Sequence, residues 1–165
     1  MTPILLLERI VQVLRVICPI LNDARVEWAV SGSLALALHG LPVAPKDIDI
    51  QTDRVGAEQM AQLLAEHLVY PPGMHLGVRL LRSYLARFKV EGLEVEAMGN
   101  LEFQSPDGRW NPAPDFRRKR SVVDYLGLSI PVVSLEFLWA FYTQLQSPGR
   151  AALIEAKLKA TPGEG

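Results

Sequence analysis

The sequence predicts an α/β or α+β domain, a small mixed β-sheet with helices packed on it. Three observations carry the prediction. The chain up to Leu68 switches between helical spacing of apolar residues and strict alternation, in the order helix, strand, helix, strand, helix. From Val78 to Met98 alternation persists, so several strands follow one another. Beyond Ser134 helical spacing returns, and the twelve Gly and twelve Pro supply turns that a helical bundle would not need.

The elements follow in order. Pro3 suits the first position of a helix with Thr2 as its cap. Glu8, Gln12, Arg15 and Asn22 then draw a narrow polar stripe along a mostly buried helix that ends near Asn22-Asp23. Val26 to Val30 reads as a short strand. Ser31-Gly32-Ser33 turns the chain into an apolar helix, Leu34 to Leu38, which His39-Gly40 stops, and Pro42 and Pro45 keep the next loop extended. Asp47-Ile48-Asp49-Ile50-Gln51 alternates strictly, giving a strand with one polar and one apolar face. Ala57 to Leu68 places Met60, Leu63, Leu64 and Leu68 on one helical face, and Tyr70-Pro71-Pro72-Gly73 reads as its stop. Val78-Arg79-Leu80, Tyr84 to Val90 and Leu93 to Met98 read as strands, with Glu91-Gly92 as the tight turn between the last two. A hairpin over Ser121 to Val133 turns at Gly127. Ser134 caps a buried helix beginning at Leu135; Pro148-Gly149 breaks it, and Arg150 to Lys159 forms the last helix. One domain, 1–160, with a flexible tail, 161–165, accounts for the chain.

Composition bounds the function. At 165 residues and 18.3 kDa the chain can bury a core without disulfide or metal staples. An apolar share of 49% with 21% charged residues excludes bulk disorder. Seventeen Lys and Arg against eighteen Asp and Glu leave a net charge of -1, so no overall positive field captures long nucleic acid. The single cysteine, Cys18, falls in the buried first helix, which excludes a disulfide framework and suits a reducing, cytoplasmic setting. Met1 to Leu7 lacks a basic start and is interrupted by Glu8 and Arg9, unlike a signal peptide. Trp28 to Pro45 is uncharged but broken by turn residues, so no membrane association is expected.

The chemistry concentrates on carboxylates. Asp47 and Asp49 lie two apart on one strand, so both leave the same face, roughly 6.6 Å apart along it. Like charges so placed repel, and hard oxygen ligands at this spacing suit one or two Mg²⁺ ions. Taken alone, the pair reads as a solvated edge-strand face. It is not alone. Gly32-Ser33 sits between a strand and a helix start, where Gly permits close backbone approach, Ser can donate and the helix end favours an anion. Leu93-Glu94-Val95-Glu96-Ala97 puts two further carboxylates on one face of a strand that can pair beside the first. His39 could touch a phosphate but reads better as a helix cap, Arg117-Arg118-Lys119-Arg120 could hold nucleotide phosphates or RNA but reads better as a solvated loop, and Trp110, Trp139 and Phe141 read as core or lid aromatics.

Together and in this order, these residues resemble the DNA polymerase beta superfamily of nucleotidyltransferases, closest to its minimal, antibiotic-modifying and abortive-infection toxin-like branches. The matching stretches are Val30-Ser31-Gly32-Ser33-Leu34-Ala35-Leu36-Ala37-Leu38-His39-Gly40, then Lys46-Asp47-Ile48-Asp49-Ile50, then Val95-Glu96-Ala97-Met98-Gly99, and Val132-Val133-Ser134-Leu135-Glu136 looks like the strand-to-helix step that closes such domains. The resemblance implies a nucleotidyltransferase-like fold. It also implies a metal-dependent transfer of a nucleoside monophosphate from an NTP such as ATP to an acceptor hydroxyl, on a small molecule, a protein or an RNA end, with two Mg²⁺ or Mn²⁺ ions. By the same resemblance Asp47 and Asp49 are metal ligands and Glu96 the third catalytic carboxylate, with Glu94 as its alternative. Gly32 and Ser33 would cradle the triphosphate, and Lys46 or Arg79 would be its charge partner. The acceptor would meet the segment Tyr70 to Ser83, expected as a loop, the C-terminal helices or a partner.

The chain departs from the superfamily pattern in three places. Val43 or Ala44 and Pro45 stand where relatives often carry Arg and Thr, Ser147-Pro148-Gly149-Arg150 replaces an Arg-x-Lys-Asp, and Glu96 replaces the commoner Asp. These departures leave a second reading open, a nucleotidyltransferase fold kept as a binding or regulatory module. Such a module would be, for instance, one half of a toxin–antitoxin-like pair, with a small protein partner or a second copy of itself.

Overall fold

A computed structural model describes residues 6–77 and 80–160. The expected helix start at Thr2-Pro3, the residues Val78 and Arg79, and the tail 161–165 lie outside the described residues. In chain order the elements are α1 (Glu8–Asp23), β1 (Trp28–Ser31), α2 (Gly32–Leu38), β2 (Ile48–Thr52), α3 (Arg54–Leu63) and a 3₁₀ turn at Ala65–His67. Then come β3 (Leu68–Leu76), β4 (Leu81–Val90), β5 (Leu93–Gln104), β6 (Trp110–Pro112), β7 (Ser121–Tyr125), β8 (Leu128–Val132), α4 (Leu135–Gln144) and α5 (Pro148–Ala160).

The strands form one sheet in the order β3-β4-β5-β2-β1-β8-β7, with β6 added to β5. The pairs β2–β5 and β1–β8 are parallel and the others antiparallel, so the sheet is mixed as expected. α1 turns Ile10, Val13, Leu14, Ile17, Cys18 and Leu21 inward and leaves Gln12, Arg15 and Asn22 exposed, which is the stripe read from the sequence. Ile48, Ile50, Val30 and Val132 belong to the same buried core. Burial pushes the Cys18 thiol up to about 12, leaving it an inert hydrophobe.

Both tight turns read from the sequence form. Glu91-Gly92 has φ of 50° and 77°, and Leu126-Gly127 has 51° and 82°, the left-handed pair of a type I′ hairpin turn. Several boundaries differ from expectation. The strand expected over Val26 to Val30 runs Trp28–Ser31, the one expected over Asp47 to Gln51 runs Ile48–Thr52, and α2 begins at Gly32. α3 begins earlier than Ala57, because the Asp53 side chain accepts the Gly56 N–H at 2.6 Å and caps the helix. It also ends earlier. Leu63 is 41% exposed and Leu68 already belongs to β3.

Tyr70-Pro71-Pro72-Gly73 is the interior of a strand and stops nothing. β3 lies at the sheet edge, and register shifts between Leu68 and Tyr70 and between Tyr70 and Gly73 absorb the two prolines, which have no N–H to offer a neighbour. β6 was not foreseen. Pro148 opens α5 at its first helical position, where a missing N–H costs nothing. α4 is buried on one side only, with Trp139 39% exposed and its indole N–H donating to Glu155 at 2.9 Å. No helix among the described residues is long and apolar enough to cross a membrane.

Candidate active site

Sheet register assembles the site. Asp49 stands opposite Ser31 on one side and Glu96 on the other, and Glu96 stands opposite Arg87, so four adjacent strands contribute one row on one face. Ser31 is fully buried and its hydroxyl oxygen meets no hydrogen-bond partner. The next polar residue on that face, Gln51, also buries an unpartnered Nε2. Two buried polar groups without partners thus flank Asp49, an arrangement a fold tolerates where a ligand completes it.

Gly32 makes room for this row. Its φ is +62°, and a Cβ there would collide with Asp49 Oδ2 and come within 3.1 Å of the Asp49 Cβ and Cγ. The first turn of α2 therefore lies directly against the Asp49 carboxylate, and only a residue without a side chain fits. Ser33 is half-buried in the same turn. Asp47 stands exposed one residue before β2, and Lys46 is exposed beside it on the approach loop.

The electrostatics centre on Asp49. Burial, then the like charges of Asp47, Glu96 and Glu94, raise its pKa from 3.8 to about 7, against a lowering pull from Arg150. Glu96 is held by Arg87, whose Nη2 and Nε donate to Glu96 Oε1 at 2.7 and 3.0 Å, and the same Nε lies 3.0 Å from Glu94 Oε1. One guanidinium thus serves both acids read from the sequence.

The sequence-predicted carboxylates therefore share one neighbourhood without closing around a point. Among the described residues, no three Asp, Glu, His or Cys side chains gather tightly enough to hold an ion as they stand, and Glu96 is turned toward Arg87. The donor set nonetheless fits a hard divalent cation: carboxylate oxygens only, mutually repelling, with the α2 backbone cradling one of them. Asp47 and Asp49 would hold it, and Glu96 would join on leaving Arg87.

A cavity of about 340 Å³ opens beside Asp49 and Glu96. Its walls come from the segment Tyr70 to Ser83 and from the C-terminal helices, through His75, Leu81 and Ser83 on one side and Phe141, Tyr142 and Arg150 on the other. Within the first of these segments, Tyr70 to Leu76 and Leu81 to Ser83 are strand, not the expected loop. Arg150 Nη1 donates to the Tyr142 hydroxyl at 3.0 Å. Burial, and after it the fields of Asp49 and Asp47, raise the Tyr142 pKa while Arg150 opposes them. Gly32, Ser33 and Lys46 do not line this cavity, and Arg79 lies outside the described residues.

Arg87, Tyr142 and Arg150 are the residues that sequence reasoning missed. The other candidates are structural. His39 Nε2 bonds to the Val133 carbonyl at 2.7 Å, tying the end of α2 to the end of β8. Arg117 pairs with Asp53 and Asp115, and Arg120 pairs with Glu27. Phe141 is a buried core ring, whereas Trp110 lies part-exposed beneath the Arg82 guanidinium, 4.4 Å from its ring centre.

The family model described as aminoglycoside-2''-adenylyltransferase matches residues 13–157. Among solved structures, a candidate nucleotidyltransferase of Thermotoga maritima is 30% identical, covers 95% of this chain and 97% of its own, and superposes with a TM-score of 0.81. The lincosamide antibiotic adenylyltransferase LnuA, lincomycin-bound, shares the fold at 14% identity and a TM-score of 0.54, over 91% of this chain and 97% of its own. ANT(2")-Ia in complex with adenylyl-2"-tobramycin does so at 12% identity and 0.55, over 90% of this chain and 88% of its own. Among curated proteins, none matches the chain in sequence.

Proposed function

The chain belongs to the aminoglycoside-2''-adenylyltransferase family, and from that premise we propose that it transfers a nucleoside monophosphate from Mg²⁺- or Mn²⁺-bound NTP, ATP first, to an acceptor hydroxyl. The observation that carries the reading is the in-register row Ser31, Asp49, Glu96, Arg87 with the Gly32 backbone seated on Asp49. Family and fold support nucleotidyl transfer. The family match favours nucleotidyl transfer over a binding module.

The chain's own groups divide the work. Gly32 and Ser33 present the first turn of α2 to the triphosphate, with Lys46 and Arg150 adding positive charge from the approach loop and from α5. Asp47 and Asp49 would hold the metal, and divalent ions, when bound, would supply neutralisation of the phosphate charge and a lowered pKa for the acceptor hydroxyl. Glu96 accepts the hydroxyl proton. The acceptor oxygen forms a bond to the α-phosphorus as the bridge to the β-phosphate breaks, and pyrophosphate leaves. Arg87 holds Glu96 before ligands bind, and that pair opens for Glu96 to take up its role.

Isothermal titration of Mg²⁺-ATP into the wild type and into Asp47→Ala/Asp49→Ala tests the metal role. The double variant is expected to bind roughly tenfold or more weakly, at least the loss that follows from disturbing a metal ligand's surroundings. Equal affinity in both proteins sinks it.

A further inference from the structure

The free edge of β3 carries no charge. Residues 68–77 include no Asp, Glu, Lys or Arg, and β3 ends the sheet on that side, with β4 as its one neighbour among the described strands. Val69, Tyr70, Met74 and Leu76 each expose half or more of their surface, Met74 and Leu76 as much as 65% and 71%, and Leu80 beyond the strand does the same. At about 150 Å² for a large side chain, these five offer roughly 450 Å² of apolar surface. A dimer interface of standard size buries about 800 Å² per copy, about 65% of it apolar, or roughly 500 Å². The patch meets that need.

Sheet edges are kept from pairing by charges, prolines or bulges. The first half of β3 has such guards, Pro71, Pro72 and two register shifts. Residues 73–76 have none. β7, the edge at the other end of the sheet, is shorter, carries Asp124 and follows Arg120. A partner recognised by charge finds nothing to hold on β3, whereas an uncharged edge meets its own copy without repulsion.

Two-fold symmetry sets two copies of one strand antiparallel. Residues directly opposite in such a pair share a face, so one residue stands opposite its own copy. Centring the pair on His75 sets Met74 against Leu76 and Gly73 against Gly77, and leaves both prolines out. Centring it on Met74 would bring Pro72 into the ladder, where it has no N–H to give. His75 lines the cavity, so Met74 and Leu76, on either side of it, point to the opposite face.

We propose that the β3 edge joins two copies of this chain, paired antiparallel about His75, with Met74 of one copy against Leu76 of the other. The two sheets run on as one, and both cavities open on the same face of it. The pairing requires neither metal nor nucleotide.

Sedimentation equilibrium of the full chain from about 1 to 100 μM, the range of modest affinities, is expected to give a mass approaching twice 18.3 kDa. Met74→Lys/Leu76→Lys changes side chains that are already exposed, so the fold is kept. It is expected to weaken association at least tenfold with no fall in the melting temperature of the dilute protein. Val122→Lys, exposed on β7, is expected to leave the mass unchanged. A short bismaleimide is expected to join His75→Cys copies covalently and to leave the wild type unlinked, because Cys18 is buried. A monomer at every concentration overturns the proposal, and so does a monomer that floats with neutral lipid vesicles, the other occupant an uncharged apolar edge admits. A dimer that survives the lysine pair, or that Val122→Lys disperses, puts the contact elsewhere and overturns it too. So does the lack of a link at position 75.

Discussion

Asp49 carries a large electrostatic penalty. Its folded pKa of about 7 stands above the ordinary 3.8, so the folded chain holds this proton more tightly than the unfolded chain does. The associated stability is complete below about pH 4 and is lost as pH rises through 7. The shift corresponds to a penalty on the order of 4 kcal/mol above neutrality, an upper bound for a side chain that water partly reaches. Asp49→Asn cannot ionise and escapes the penalty. Its melting temperature is expected to match the wild type near pH 4, to gain progressively up to pH 7, and to hold that gain at pH 8, with about 2–4 °C for each kcal/mol. Scanning calorimetry near pH 4, 6 and 8 measures this, and a gain independent of pH would mean that Asp49 titrates normally. Asp47, Asp49 and Glu96 were legible because alternation along a strand is a local property. Arg87 was legible too, though it was not read. Once Glu91-Gly92 is taken as a two-residue turn, counting outward pairs Val90 with Leu93 and Lys89 with Glu94, and then Arg87 with Glu96. Tyr142 and Arg150 leave no such trace, since only the docking of α4 and α5 brings them to the cavity.

At the scale of elements, α4 ties the site to the core. Phe137 and Leu138 are buried, while Phe141 and Tyr142, a turn further on, face Asp49 across the cavity. Ser134 fixes where that helix begins, its buried hydroxyl accepting the Phe137 N–H at 3.1 Å. Ser134→Ala removes the cap and is expected to cost about 1 kcal/mol, read as a fall of roughly 2–4 °C in melting temperature. Because α4 also carries Tyr142, whose hydroxyl accepts from Arg150, nucleotide binding should weaken in the same variant. Unchanged melting would show that the helix start is held by packing alone. Caps and turns of this kind were readable wherever a single residue type decides the geometry, as at Ser134, Glu91-Gly92 and Gly127. Elements failed where tertiary placement overrides local preference. Tyr70-Pro71-Pro72-Gly73 would end most segments, and only its position at the sheet edge makes it a strand. The end of α3 was missed because Leu63, Leu64 and Leu68 keep helical spacing while the backbone tightens into a 3₁₀ turn and leaves the helix.

For the molecule as a whole, the decisive arrangement is the position of β2. It pairs antiparallel with β1, its near neighbour in sequence, and parallel with β5, which the chain reaches only after α3 and the β3–β4 pair. The first pairing is local and brings Ser31 to Asp49 without adding charge. The second needs a long loop to close, a step that comes late in folding, and it alone presses Glu94 and Glu96 upon Asp49. Repulsion that arises after the rate-limiting barrier cannot slow the approach to the folded state, but it hastens the departure from it. Asp49→Asn should therefore lower the unfolding rate and leave the folding rate nearly unchanged, which the two limbs of a denaturant chevron would resolve. Movement of the folding limb instead would place the β2–β5 closure inside the transition state. If the unfolding limb alone moves, the acid row sets the lifetime of the folded chain, and whatever neutralises those carboxylates prolongs it.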